Sequence, residues 1–95
     1  MKRIYVDKGI FLKVNDSGKV CKNCFEVSVK TTFKKLSFAT DLFKKLYDNW
    51  NTVYLCETKN GFLVEFKTYT ENMNEAVMIR NQVNSVVEVW KNERR

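Results

Sequence analysis

The sequence predicts an α+β fold: an antiparallel sheet of about five strands with two helices packed on one face, in the order β-β-β-α-β-β-α. Three observations predict it. Residues 2–31 fall into three runs of alternating apolar and polar side chains, the period of half-buried strands. Asn60-Gly61, the preferred pair for a two-residue hairpin turn, separates two further runs of the same kind. In residues 72–95, Ala76, Ile79, Val83, Val86 and Trp90 recur at steps of three and four, which sets them on one side of a long helix. Val87 widens this stripe. A one-sided sheet and one-sided helices bury their apolar faces as two layers.

In chain order, Ile4 and Val6 share one face of a first strand, with Arg3, Tyr5 and Asp7 on the other. Lys8-Gly9 is a turn. Ile10, Leu12 and Val14 repeat the inner face, with Phe11 and Lys13 opposite. Residues 15–18, Asn-Asp-Ser-Gly, form a loop. Phe25, Val27, Val29 and Thr31 form the inner face of a third strand; Lys22, Cys24, Glu26, Ser28 and Lys30 form its outer face. Residues 32–35 break the phase, and residues 36–38 read as a short extra strand. Thr40 caps a helix beginning at Asp41, whose buried stripe is Leu42, Phe43, Leu46, Tyr47 and Trp50. Asp41 and Lys45 are spaced as a helical ion pair. The Asn60-Gly61 turn sets Leu55 opposite Phe66 and Tyr54 opposite Lys67. Asn72 caps the last helix, with Glu75 in a capping-box relation.

With 95 residues, the chain reads as a single domain, residues 1–95. Its stability is a few kcal/mol, so pairing into a homodimer would help it. No apolar run approaches the roughly 20 residues of a membrane span, and Met1-Lys2-Arg3 leads into strand alternation, not a signal-peptide core. The expected location is cytoplasmic. There is no His and no Pro, while Lys and Asn abound. This composition is associated with AT-rich coding sequence, as in some bacteria and many of their viruses.

Charge is uneven. Residues 1–48 hold 11 Lys or Arg against 5 Asp or Glu, and residues 49–95 hold 6 against 6, so the whole excess of +6 lies in the first half. Such asymmetry points to a polyanion partner, although a lysine-rich surface also serves solubility. Lys outnumbers Arg 13 to 4. Lysine is a point charge where arginine forks onto guanine. Nucleic acid would therefore be read by backbone and shape more than by sequence.

Two short motifs bear on chemistry. Cys21-Lys22-Asn23-Cys24 has the spacing of half a zinc site, but only Cys56 remains as a further thiol and no His is present. Free thiols in a reducing compartment are the expectation, with no metal and no cofactor. Phe62-Leu63-Val64-Glu65-Phe66-Lys67 is an apolar strand carrying E-x-K, and it resembles the strand signature of restriction-endonuclease-like enzymes. That resemblance implies a divalent metal shared by Glu65 and an upstream acid, with Lys67 activating water. Glu57 and Asp48 are the only acids nearby, and a cross-strand salt-bridge surface explains the same residues. Three strands followed by a helix, with Phe38-Ala39-Thr40 and Tyr47-Asp48, are similar to AP2 or integrase-type DNA-binding domains. The strand arginines of that family are absent, and no role is carried over from it.

The broadest constellation is the outer sheet face, with Arg3, Tyr5, Phe11, Lys13, Lys22, Lys30, Tyr54 and Lys67. Bases stack on aromatic rings while lysines meet phosphates. Lys34, Lys35, Lys44 and Lys45 add a second basic cluster. The leading expectation is a small, non-enzymatic RNA- or DNA-binding protein that uses these residues. The alternative is a small virus- or mobile-element-type protein that binds and inhibits a host protein.

Overall fold

The structure, a computed structural model, describes residues 2–94, and of residues 20–23 only the backbone. Its elements are β1 (Lys2–Asp7), β2 (Ile10–Val14), β3 (Val20–Phe33), α1 (Leu36–Tyr47), β4 (Val53–Thr58), β5 (Gly61–Thr70) and α2 (Met73–Glu93). The strands form one antiparallel sheet in the order β1-β2-β3-β5-β4. Both helices lie on one face, as the sequence predicts. Ile10, Val27, Val64 and Phe66 of the sheet meet Leu42 and Leu46 of α1 and Ala76, Val83, Val87 and Trp90 of α2. The smallest dimension of the molecule, 20 Å, is that of one sheet layer and one helix layer. The second sheet face is therefore uncovered. Among the described residues, no helix is long and apolar enough to cross a membrane.

α2 forms as its apolar period requires. The Asn72 side chain accepts from the backbone N–H groups of Asn74 (2.7 Å) and Glu75 (3.3 Å), two of the donors that a helix start leaves unpaired. Residues 85–90, rich in β-branched valine, are helical because Val83, Val87 and Trp90 continue the buried stripe. Trp90 lies edge-on to Phe33 at 5.3 Å, and its indole N–H donates to Asp41 at 3.2 Å.

Several expectations are corrected. α1 starts at Leu36, not Asp41, and there is no strand at residues 36–38. Its buried residues are Ala39, Leu42 and Leu46, so the helical stripe begins directly after the stretch that reads as strand. Thr40 is inside the helix, and the residue at the cap position, Lys35, makes no side-chain cap. Asp41 pairs with Arg94, not Lys45, and so ties α1 to the end of α2. Tyr47 is exposed; Trp50 lies beyond the helix and packs edge-on against Phe66 at 5.6 Å.

The β4–β5 register is two residues from the expected one, with Val53 opposite Phe66 and Tyr54 opposite Glu65. The faces are unchanged, because side chains alternate with period two. Gly61 explains the shift: it begins β5 instead of closing the turn. A Cβ on Gly61 would sit 2.2 Å from the Phe33 carbonyl oxygen, and its φ of 153° is one that side chains disfavour. Only glycine permits β5 to start this close to β3.

β1 carries a bulge between Tyr5 and Asp7. Tyr5 pairs with Phe11 on the free face, whereas Asp7 pairs with Ile10 and is turned to the helix side. There the Arg80 guanidinium of α2 donates to the Asp7 carboxylate at 2.8 Å and to the Lys8 carbonyl at 2.9 Å. The reading that grouped Asp7 with Arg3 and Tyr5 is thus corrected. Arg80 also holds the Asp7 carboxyl below the usual aspartate range, with help from the Lys8 backbone N–H.

Candidate nucleic-acid interface

The free face is built from the residues of each strand that point away from the helices. Cross-strand pairing sets Tyr5 beside Phe11, Phe11 beside Glu26, and Glu26 beside Tyr69, one row across four strands. Arg3 pairs with Lys13 in the next row. Farther along the sheet, Lys30 pairs with Glu65 and Glu65 with Tyr54, while Ser28 pairs with Lys67. Arg3, Tyr5, Phe11, Lys13, Lys30, Tyr54 and Lys67 therefore share one surface.

Glu26 organises the first end of this face. It is only 2% exposed although no secondary-structure element lies over it. Arg3 approaches its Oε2 to 2.5 Å, and no hydrogen bond of good geometry reaches that oxygen, so charge holds it. The Tyr69 hydroxyl donates to Oε1 at 3.2 Å. The Arg3 guanidinium also stands 4.1 Å above the Phe11 ring, and the Lys13 ammonium 4.7 Å above that of Tyr69. Tyr5 meets Phe11 edge-on at 6.0 Å. Burial raises the Tyr69 hydroxyl above the ordinary tyrosine range, and the Glu26 carboxylate raises it further by its charge and its hydrogen bond.

The other end is looser. Glu65 Oε2 lies 3.7 Å from Lys30 and 3.9 Å from Lys67, and accepts from the Ser28 hydroxyl at 3.4 Å. These are the separations of a solvated cross-strand cluster. Glu57 is on the opposite face of β4 from Tyr54, away from Glu65. Among the described residues, no three His, Cys, Asp or Glu side chains gather as metal ligands do. The endonuclease-like E-x-K thus has no acid partner beside it among the described residues. Cys24 and Cys56 lie at opposite ends of the sheet. Cys56 is opposite Leu63 and Leu63 opposite Thr32, eight residues along β3 from Cys24, or about 26 Å at 3.3 Å per residue. The side chains of Cys21 and Lys22 fall outside the described residues.

The second basic cluster is not part of this face. Lys34 and Lys35 occupy the bend between β3 and α1, and Lys35 approaches the Phe38 ring at 5.7 Å. Lys44 and Lys45 lie exposed in the last turn of α1, in the helix layer. Two residues of the free face escaped the sequence reading, Tyr69 and the anchoring role of Glu26. Tyr69 follows Glu65 and Lys67 at steps of two, so alternation alone would have found it. Comparison with protein families, curated proteins and solved structures finds nothing that matches this chain.

Proposed function

We propose that the protein binds RNA or DNA on the free sheet face, without catalysis and with little sequence readout. One observation carries this reading: an uncovered sheet face presents exposed Tyr5, Tyr54 and Tyr69 among Arg3, Lys13, Lys30 and Lys67. Open aromatic rings offer stacking platforms to unpaired bases, and the cations offer phosphate contacts. Among the described residues, no cation stands over Tyr5 or Tyr54, whereas Phe11 and Tyr69 each carry one. Lys34, Lys35, Lys44 and Lys45 act at longer range, by raising the local concentration of a polyanion. Free thiols at Cys24 and Cys56 suit a reducing cytoplasm.

A second reading, inhibition of a host protein, rests on β1. Ile4 and Val6 are exposed on an edge strand, as apolar contact residues are before they meet a partner. Salt separates the two readings. Fluorescent single-stranded RNA and a DNA duplex are titrated with the protein across a salt series. Affinity should fall steeply with salt, and Lys13→Ala and Lys67→Ala should each reduce the slope by about one unit. Absence of wild-type binding at low salt would exclude the nucleic-acid reading and leave the protein partner.

A further inference from the structure

One edge of β3 is paired along only part of its length. Its 14 residues are long enough for two neighbours in sequence on the same side, but β2 accompanies only the first half. The β2–β3 pairing ends where Ile10 meets Val27, and the Gly9 carbonyl takes the Ser28 N–H at 2.8 Å. The β1–β2 hairpin tip stops there. In a strand, successive residues aim their backbone groups to opposite edges, so Lys30 and Thr32 aim theirs to the same side as Ser28. On that side they meet no partner strand among the described residues. Residues 28–33 are thus paired to β5 on one edge and open on the other.

This open edge forms one wall of a groove whose other wall is α2. Arg80 reaches the hairpin tip near Ser28, and Trp90 meets Phe33, so helix and strand run side by side. Residues 28–33 advance about 17 Å at 3.3 Å per residue. Residues 80–90 advance about 15 Å at 1.5 Å per residue. Between them lies a cavity of about 220 Å³ at whose rim stand the cations Lys8, Arg80 and Lys91, against Glu88 and the Asp7 carboxylate that Arg80 holds.

We propose that this groove takes an extended acidic peptide segment of a partner protein, which adds to β3 as a strand in line with β2. The unpaired N–H and C=O groups of Lys30 and Thr32 recognise another polypeptide backbone, a ladder that a phosphate chain cannot mirror. The exposed Lys8 and Lys91 at this rim favour acidic side chains on the added strand. About five residues fill the length. This site lies on the edge and helix side of the sheet, and it stands whether or not the free face binds nucleic acid.

The probe is a fluorescein-labelled hexapeptide of alternating glutamate and valine, with a version N-methylated at alternate residues as control. Anisotropy should show saturable binding of the first peptide, weakened about tenfold or more by N-methylation. Amide hydrogen exchange at Lys30 and Thr32 should slow when it binds. Thr32→Pro removes one open-edge donor while leaving the β5 ladder, as edge positions tolerate, and should weaken binding in the same way. Lys91→Glu should weaken it through charge. Binding that is indifferent to N-methylation, or absent, would overturn the proposal. So would protection of Lys30 and Thr32 by an oligonucleotide instead of the peptide.

Discussion

The two faces of the sheet reach the same burial by different chemistry. Phe66, against the helices, is 1% exposed, and Glu26, on the free face, is 2% exposed. Phe66 belongs to the apolar cluster of sheet and helix side chains and packs edge-on against Trp50. Glu26 is buried by an arginine, a phenylalanine and a tyrosine, each of which itself keeps part of its surface in water. Apolar burial stabilises in proportion to the area removed from water. A buried carboxylate must first offset its desolvation, so its ion pair contributes little net. The helix face therefore holds the fold, and the free face spends its side chains on a rigid pattern of rings and charges.

The largest expected effect tests the helix face. Trp90→Ala should destabilise the protein by about 3–5 kcal/mol in urea unfolding, the usual range for a large buried aromatic. Trp90 is 5% exposed, lies against Phe33 and holds Asp41. A loss under about 1 kcal/mol would mean that α2 is peripheral to the core, and the contrast between the faces would fail.

Next comes the free face as a binding surface. Tyr54→Ala should cost about 1–3 kcal/mol per stacked base in oligonucleotide affinity, with the salt slope unchanged. Phe11→Ala should cost less, because Arg3 already covers one side of its ring. Equal losses at both positions would show that Arg3 moves aside on binding. The fold should survive both changes, which far-UV circular dichroism can check.

Much of this architecture was legible in the sequence. The strand faces, both helices and the Asn72 cap follow from period and side-chain chemistry alone. What was misread depended on contacts distant in sequence. α1 starts early because Ala39 is buried against the sheet, whereas residues 36–38 alone alternate like a strand. The hairpin register followed the Asn60-Gly61 rule until Phe33, 28 residues upstream, claimed Gly61 for close approach. Asp7 changed faces through a one-residue bulge that alternation cannot announce. The aromatic and cationic residues of the candidate face were legible one by one, but Glu26, which gathers three of them, reads in sequence as an ordinary outward carboxylate.

A smaller effect is expected from Glu26 itself. Glu26→Gln keeps an acceptor for the Tyr69 hydroxyl and removes the charge that faces Arg3. Arg3 is half exposed and regains water, so the cost should be about 1 kcal/mol or less. Tyr69 should at the same time titrate closer to the ordinary tyrosine range in an absorbance titration. Its raised value means that its contribution to stability is present below the ordinary tyrosine range and is lost as pH rises through the raised one. A loss above about 3 kcal/mol would place the free face beside the core as a stabilising element.

The smallest effect concerns Asp7, the charge that the bulge moves from the free face to the helix side. Arg80 and the Lys8 N–H lower its titration. A lowered carboxyl contributes stability above the ordinary aspartate pKa and loses it as pH falls through the depressed value. Asp7→Asn removes the titration but keeps an acceptor near Arg80, which also retains the Lys8 carbonyl. Wild type should be slightly the more stable at neutral pH, and the two urea midpoints should converge on acidification below the aspartate range. A gap that persists in acid would mean that the side chain shapes the bulge by fit, not by charge. No gap at neutral pH would mean that Arg80 clamps the hairpin through the Lys8 carbonyl alone. In that case the tip beside the open edge of β3 is held by backbone, and its geometry is independent of pH.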